Sequence, residues 1–340
     1  MTVRCQRLLW TLAPVSLFLL ALALAGCAPT PQTTLLPKSD YADRIQGLLE
    51  FVLVLAAIVF VVVEGALIYA IVRFRKRKGQ GIPHQTHGNQ KLEIAWTFAP
   101  AVVLAVITVP TIGTIFATQQ PAPADALEIK VIGHQWWWEF KYPSQDIVTA
   151  NEIHIPVGKP ISFVMTSNDV IHSFWVPQLA GKRDVFPNRE TRITFMPNAP
   201  GTYLGQCAEF CGLSHANMRF RVVVDTPEGF QAWVKAQKAP FSAPTAELAK
   251  KGQQLFFATP PGCTACHTID GTQARGLVGP NLTRIGARGT TAAGTLENTP
   301  DNMARWLRDP EAVKPGSKMP NLHLSESEIS ALVAFLESMK

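Results

Sequence analysis

The pattern of apolar residues in the N-terminal part of the chain predicts segments that enter or cross a membrane. Two runs, from about Leu48 to Val72 and from about Ile94 to Phe116, are long and apolar enough to span a bilayer, which needs about 20 residues. An earlier apolar stretch, from Leu8 to Leu24, follows two arginines and is typical of a secretory signal. We therefore predict a signal segment, followed by a hairpin of two transmembrane helices within residues 44–118.

The end of the predicted signal carries a short motif with its own chemistry. The sequence LAGC that ends at Cys27 resembles the lipobox of bacterial lipoproteins, which implies removal of residues 1–26 and a lipid on the Cys27 thiol. Residues 27–43, which begin with a Pro- and Thr-rich stretch, would then form an extracytoplasmic tether. An ordinary signal peptide and an uncleaved anchor are the alternatives.

Composition and charge indicate a membrane protein with a defined orientation. Hydrophobic residues make up 47% of the chain and charged residues only 16%, which is sparse for a soluble protein of 340 residues. The net charge is +6, and much of it lies between the two spans, in the run Arg73, Arg75, Lys76, Arg77 and Lys78. Lysine and arginine stay on the cytoplasmic side, so the run predicts a cytoplasmic loop, with no nucleic-acid partner. Everything after about residue 119 then lies outside the cytoplasm.

Residues 119–225 change to a pattern of short strands. Runs such as LEIKVIGH, NEIHIP, ISFVMTS and RFRVVVD are rich in β-branched and aromatic residues, and Pro, Gly and Asn separate them. Short strands at this spacing are typical of a β-sandwich or barrel, and we predict an all-β domain here.

A short segment near the end of this domain collects side chains that bind soft metals. These are Cys207, Cys211, His215 and Met218, with His172 about 35 residues earlier. Thiolate, imidazole and a weak thioether are the ligands of copper electron-transfer sites, and a site with a single copper needs only one cysteine. Two thiolates can bridge two copper ions, each with one histidine, while Met218 and the backbone carbonyl of Glu209 serve as weak outer ligands.

Two other interpretations use part of the same residues. In an oxidising compartment Cys207 and Cys211 would be able to form a disulfide, but a disulfide does not require the two histidines and Met218 at matching positions. A Cys2His2 zinc site is the second alternative, and Met218 and the strand-and-loop setting fit it less well.

These residues closely resemble subunit II of the haem–copper cytochrome c oxidases. The resemblance covers about Arg44 to Asp225 and includes the hairpin, the aromatic segment QWWW and the cysteine loop. The middle aromatic, Trp137, is commonly Tyr in the family, and nothing in the proposed chemistry depends on it. The resemblance implies a cupredoxin-like domain with a dinuclear copper centre, whose ligands are His172, Cys207, Glu209 through its carbonyl, Cys211, His215 and Met218.

The same resemblance implies three further roles. Trp136 matches the aromatic residue at which electrons from cytochrome c enter the copper site. The side chain of Glu209 matches a ligand of a magnesium ion shared with subunit I. Glu93 matches the acidic residue at the mouth of a proton-uptake path, although the helix dipole stabilises a glutamate at a helix N-terminus whatever its function.

The last part of the chain carries a second cofactor motif. Residues 226–245 are predicted as a linker that ends in a Pro- and Ala-rich stretch, and a helical pattern follows. Cys263, Cys266 and His267 form the CxxCH motif, in which two thiols bond the vinyl groups of haem c and the histidine ligates the iron. A bare CxxC also fits a redox pair or a zinc knuckle, but the adjacent histidine and the exported setting favour haem.

The second axial ligand of the haem is predicted to be Met319, which stands beside Pro320 in a loop. Met303 competes for this role but lies in the helix-like run DNMARWL. Ligation by His and Met raises the reduction potential, which suits a donor ahead of an oxidase. With the motif GPNL and a final helix, residues 246–340 resemble a small class I cytochrome c.

The sequence thus predicts a multidomain chain that joins a two-helix transmembrane hairpin, an all-β cupredoxin-like sandwich and an all-α class I cytochrome c domain. The resemblance implies subunit II of a proton-translocating terminal oxidase in a bacterial cell membrane, relaying electrons to haem a and the oxygen-reducing site of subunit I. Further partners would be subunit III, membrane lipid, and a donor such as cytochrome c or a quinol–cytochrome c reductase. The alternatives are the small subunit of a two-copper nitric oxide reductase and a membrane-anchored electron carrier without a catalytic partner.

Overall fold

The chain folds into a helical hairpin, a β-sandwich and a smaller helical domain, in that order. The computed structural model describes residues 30–76, 81–82, 84–85, 87–259 and 262–340. The predicted signal, the lipobox at Cys27, and Arg77 and Lys78 of the basic run lie outside the described residues.

The hairpin consists of two long helices, α1 at Asp40–Arg73 and α2 at Gln90–Thr118. By length and composition both are able to cross a membrane, with mean hydropathies of 2.9 and 2.1 in their most apolar windows. Large apolar side chains are exposed all along both helices, which suits a helix surrounded by lipid. The two predicted helices are confirmed, and both are longer than predicted.

Helix α1 begins earlier than predicted because its first turn is capped and bound to the sandwich. The hydroxyl of Ser39 accepts a hydrogen bond from the amide of Ala42 at 3.1 Å, which satisfies an amide at the helix end. The same hydroxyl donates to the carbonyl of Leu179 in the sandwich. Asp40 accepts a hydrogen bond from the amide of Met196 at 2.7 Å. The sandwich is therefore fixed to the outer end of the membrane hairpin.

The β-domain is a sandwich of two five-stranded sheets, as predicted. Its strands are β1 Leu127–His134, β2 Trp137–Tyr142, β3 Ile147–Ala150, β4 Glu152–Pro156, β5 Ile161–Ser167, β6 His172–Trp175, β7 Arg183–Val185, β8 Thr191–Phe195, β9 Gly201–Cys207 and β10 Arg219–Asp225. One sheet has the order β3-β2-β1-β5-β8 and the other β4-β10-β9-β6-β7. The pairs β1/β5 and β4/β10 are parallel, and the remaining pairs are antiparallel.

Aromatic side chains fill the space between the two sheets. Alternate residues of each strand point inward, so that Trp138, Phe140, Phe174 and Phe220 are all buried. The rings of Trp138 and Phe174 meet edge to face with centroids 5.3 Å apart, and Phe174 stacks on Phe220 at 4.4 Å. The ring of Trp138 also contacts that of His172 at 5.8 Å, so the core supports the first residue of β6.

The structure differs from the predicted linker of residues 226–245. Pro227–Gln237 forms a helix, α3, whose N-terminus is capped by Thr226. Its apolar residues Phe230 and Val234 are spaced for one helical face and are buried in the core of the sandwich. The linker was predicted from the Pro- and Ala-rich composition of the later residues, and the short amphipathic helix before them was missed. Because this helix belongs to the sandwich, the connection between the domains is shorter than predicted.

The C-terminal domain is helical, as predicted, and also contains a small sheet. Its helices are α4 Glu247–Phe257, α5 Pro300–Arg308, α6 Pro310–Val313 and α7 Glu326–Ser338. Strands β11 Thr290–Thr291 and β12 Leu296–Glu297 form a two-stranded sheet. Helices α4 and α7 cross closely at Gly252, because a Cβ there would lie 1.9 Å from the carbonyl oxygen of Ala331.

We expect Gly252→Val to destabilise the C-terminal domain by roughly 1–3 kcal/mol or more, because the added side chain forces the two helices apart. Calorimetry on the full chain would measure the change. Lys251→Ala is the matched control, since Lys251 is exposed on the same helix, and it should shift stability by less than about 0.5 kcal/mol. Equal stability of both variants would show that the helices do not depend on this close approach.

Candidate functional site

Strand pairing brings the predicted copper ligands to one end of the sandwich. Strand β9 ends at Cys207 and pairs with β6, where Phe174 lies opposite Cys207 and His172 is two residues away. The chain then passes through Cys211 and a short 3₁₀ helix, His215–Asn217, to Met218. The amide of Cys207 donates to the carbonyl of Met218 at 2.9 Å, which returns the loop to its starting point.

The ligand atoms of these residues form one compact cluster. The two sulfur atoms of Cys207 and Cys211 are 3.8 Å apart, and the sulfur of Cys207 is 3.3 Å from the carbonyl oxygen of Glu209. Each thiol has its own histidine, with Nδ1 of His172 at 3.9 Å from Cys207 and Nδ1 of His215 at 3.6 Å from Cys211. The sulfur of Met218 lies 3.9 Å from that of Cys211.

This geometry has consequences for the two alternatives. Both cysteines are free thiols, and their separation far exceeds a disulfide bond of about 2.05 Å. The cluster is nearly symmetric about the two sulfur atoms, with one histidine and one weak donor beside each. Four strong ligands around one zinc ion would leave Met218 and the Glu209 carbonyl without a role. The donor set therefore fits two bridged copper ions better than either alternative.

Close contact between the thiols also changes their acidity. The hydrogen bond from Cys211 lowers the pKa of Cys207 to about 3, with a further contribution from His172. The same contact with Cys207 raises the pKa of Cys211. Metals bind the thiolate form, so a bound cation would displace a proton from this pair.

A carboxylate that the sequence analysis did not single out orients one of the histidines. Nε2 of His172 lies 2.8 Å from Oδ1 of Asp169, which leaves Nδ1 directed toward the cysteines. Although partial burial alone would raise it, hydrogen bonds from His172 and from the amide of Gln135 lower the pKa of Asp169. A carboxylate behind a ligating histidine fixes its ring and its tautomer. The sequence signal for this role was the position of Asp169, three residues before the predicted ligand His172.

Trp136 lies directly against the copper loop. Its indole Nε1 donates to the carbonyl of Cys211 at 2.9 Å, and the side chain of Gln135 donates to the same carbonyl at 2.8 Å. The residue is only 8% exposed. Glu209, by contrast, is exposed at the surface of the loop.

Glu93 lies in the first turns of α2, far along the chain from the copper loop. Its carboxylate accepts a hydrogen bond from the amide of Asn89 at 3.3 Å. This contact helps to cap the N-terminus of the helix, and the helix dipole also stabilises a carboxylate there.

A cavity of about 380 Å³ opens beside the CxxCH motif of the C-terminal domain. Cys263, Cys266, His267 and Met319 all line it, whereas Met303 is 2% exposed and belongs to the domain core. Nδ1 of His267 lies 2.8 Å from the carbonyl of Pro280, which leaves Nε2 for the cavity. Burial lowers the pKa of His267, which favours the neutral ring that ligates iron.

Two polar groups in the cavity wall suit the carboxylates of a haem. The guanidinium of Arg288 is buried, and its hydrogen bonds reach only backbone carbonyls, those of Asn281 and Thr283, among the described residues. Burial lowers the pKa of Arg288 to about 10. The hydroxyl of Thr290 is buried without a partner in the described part of the chain. A propionate would supply the missing acceptor, so the residues present fit haem c.

The copper loop and the haem cavity share a boundary. Trp136 and Trp137 line the cavity from the side of the sandwich, together with Gln135, Ala150 and Asn151. One indole therefore contacts the haem cavity with its ring and the copper loop with its Nε1. The sequence predicted both sites but not this contact between them.

Comparisons with known proteins find matches to all three parts of the chain. The family profile for the transmembrane domain of cytochrome c oxidase subunit II matches residues 36–113, and that for its periplasmic domain matches residues 145–226. The cytochrome c profile matches residues 249–340.

Individual relatives match over almost the whole chain. A cytochrome c oxidase subunit 2 from Alkalihalophilus pseudofirmus is 37% identical, covering 98% of this chain and 98% of that protein. The protein of the same name from Bacillus subtilis is 35% identical, over 95% of this chain and 96% of its own length. A crystal structure of the periplasmic domain of subunit II of cytochrome oxidase from Bradyrhizobium japonicum shares 32% identity, with a TM-score of 0.34, and covers 35% of this chain and 97% of its own.

Identity at this level over nearly the full length establishes the family. Its subunit II domain implies copper, its cytochrome c domain implies haem c, and subunit II implies partnership with subunit I. The apolar helices and the matching transmembrane profile indicate a membrane-anchored protein with an extracytoplasmic domain. The chain belongs to the cytochrome c oxidase subunit II family, as the subunit of an oxidase with a cytochrome c domain fused at its C-terminal end.

Proposed function

We propose that this chain carries electrons from an external donor to subunit I by way of a covalent haem c and a two-copper centre. The observation that supports the proposal most directly is the position of Trp136, between the haem cavity and the carbonyl of Cys211. A subunit that received electrons directly at its copper site would not need a haem cavity at this face of the sandwich.

Six residues would hold the copper ions. The thiolates of Cys207 and Cys211 and the imidazoles of His172 and His215 would be the strong ligands, and Met218 and the Glu209 carbonyl would complete the set. The copper ions would supply a one-electron relay. The chain's own part is to keep the ligands rigid, with Asp169 orienting His172 and the aromatic core supporting its ring.

Four residues would hold the haem. Cys263 and Cys266 would form the two thioethers, and His267 and Met319 would be the protein ligands of the iron. Haem c held in this way would supply a second one-electron site, at the higher potential that Met ligation gives. Pro280 orients His267, and Gly279 leaves room for its ring, because a Cβ there would lie 2.6 Å from Cε1.

Two acidic residues have proposed roles at the boundary with other subunits. Glu209 is exposed beside the copper loop, where its carboxylate is free to share a magnesium ion with subunit I. Glu93 stands at the start of α2 and would lie at the mouth of a proton-uptake path. Subunit III would contact the membrane part of the same complex.

We also propose that the chain crosses the membrane twice and carries a lipid on Cys27. The support is the length of α1 and α2, the basic residues that follow α1, and the sequence that precedes Cys27. Mass spectrometry of the mature N-terminus tests the lipid, since a chain that begins before Cys27 would exclude it.

The test of the function is the reaction of the purified complex. A large subunit with haem a should copurify, and the complex should consume oxygen when a reduced cytochrome c is supplied. Consumption of nitric oxide but not oxygen would identify a nitric oxide reductase instead. Purification without any large subunit would identify an electron carrier.

We expect Cys207→Ser to abolish the mixed-valence copper signal in electron paramagnetic resonance, because a hydroxyl does not bridge copper as a thiolate does. The absorption spectrum of haem c should be unchanged, and oxygen consumption should fall to background. Ser173→Ala, also buried in the sandwich, is the matched control and should keep the signal. Survival of the signal in Cys207→Ser would remove this residue from the ligand set.

We expect Met319→Ala to convert the haem to a weaker-field form and to lower its potential, because the thioether ligand is lost. Met303→Ala should instead leave the haem spectrum intact and destabilise the domain by roughly 2–5 kcal/mol, as the loss of a buried methionine does. Optical spectra and thermal unfolding of the two variants separate these effects. The opposite pattern would make Met303 the ligand.

A further inference from the structure

One lysine of the cytochrome c domain is buried at its boundary with the sandwich. Lys314 follows helix α6 and is only 4% exposed. Its ammonium donates to the backbone carbonyl of Trp136 at 2.5 Å, across 178 positions of the chain. The ammonium makes no other hydrogen bond to a described residue. Burial lowers the pKa of Lys314 to about 7.

The residues after Lys314 lie on the same surface. The hydroxyl of Ser214, in the copper loop, donates to the carbonyl of Pro315 at 2.5 Å. Gly316 packs against the ring of Trp136, and a Cβ on it would come within 2.8 Å of the indole. Lys318 lies 3.7 Å from Asp169, the carboxylate behind His172. The segment 314–318 therefore follows the copper loop directly up to Met319.

A second group of contacts joins the domains elsewhere. The carboxylate of Glu152 accepts a hydrogen bond from the amide of Gly289 at 2.9 Å, and Arg221 pairs with Glu297. These contacts join β4 and β10 to the region of β11 and β12. They do not involve the segment 314–318, so they are able to hold the domain on the sandwich when Lys314 is replaced.

We propose that Lys314 is a positioning residue, which fixes the segment 314–318 and the haem cavity against Trp136 for electron transfer to the copper site. The inference rests on the proposed function, because it assumes that electrons pass between the two sites. Burying an ammonium group costs free energy unless the group is hydrogen-bonded. Here its partner is the carbonyl of Trp136, whose side chain lies between the two sites. The lysine therefore ties the position of the Met319 loop to that of the indole.

A consequence concerns external donors. With Gly316 over its ring and Lys314 on its carbonyl, Trp136 is closed to a second protein.

The test uses the complete purified oxidase with Lys314→Met, which keeps the length and apolar stem of the side chain and removes its donor. Haem c is reduced by a flash from a covalently attached ruthenium dye, and oxidation of the haem by the copper site is followed in a single turnover. We expect the rate to fall by about tenfold or more, because misplacing reacting groups by about 1 Å is costly. Hydrogen exchange should rise at residues 135–137 and 314–318, while the copper signal stays unchanged.

Three further variants complete the test. Lys251→Met, on an exposed face of the same domain, is the matched control and should behave as the native chain. Lys314→Gln, whose shorter amide does not reach the carbonyl, should be slow as well. Lys314→Arg, which keeps charge and donors, should restore most of the rate.

Three results would overturn the inference. Rates within about twofold of native for both Lys314→Met and Lys314→Gln would show that docking does not depend on the lysine. A shifted haem potential with unchanged hydrogen exchange would assign Lys314 to the haem instead. A native chain without any transfer from haem to copper would refute the proposed function itself, and this inference with it.

Discussion

The pairing of β6 with β9 is the interaction on which the proposed copper site depends. It places Phe174 opposite Cys207 and so brings His172 beside the first thiol. A shift of this pairing by one residue would turn His172 to the other face of the sheet. The aromatic core opposes such a shift, because Trp138 packs against both Phe174 and His172. The position of the proposed copper ligands therefore depends on the middle of the sandwich and not on the loop alone.

The loop between β9 and β10 presents two surfaces with different roles. Its inner surface carries the cysteines, His215 and Met218, while Trp136 and the segment 314–318 cover part of its outer surface. Glu209 and Phe210 stay exposed on the same loop. Those exposed residues are available to another subunit, whereas the covered part belongs to contacts within the chain. The loop therefore contacts the cytochrome c domain with one part of its surface and leaves another part exposed.

The orientation of the cytochrome c domain depends on its contacts with the sandwich more than on its covalent connection to it. Helix α3 belongs to the sandwich, so the flexible connection is shorter than its composition suggests. Polar contacts at Lys314, Ser214 and Glu152 then fix the orientation of the domain. A short connection raises the effective concentration of the haem cavity at Trp136, and the contacts select one orientation from those the connection allows. Fixed orientation matters because the cavity and the copper loop meet at Trp136 and Gln135.

The sequence by itself determined the domain order, the two apolar helices, the sandwich, and the residue types brought together at both proposed sites. It did so because these features depend on local patterns: long apolar runs, alternating strands, and the spacing of Cys, His and Met. Helix α3 was missed because a short amphipathic helix in a Pro- and Ala-rich stretch gives a weak local signal. Asp169, Lys314 and the shared wall at Trp136 were decided only by the tertiary structure. Each depends on contacts between residues far apart in the chain, such as the 178 positions between Lys314 and Trp136, and no local pattern encodes the partner of a buried charge.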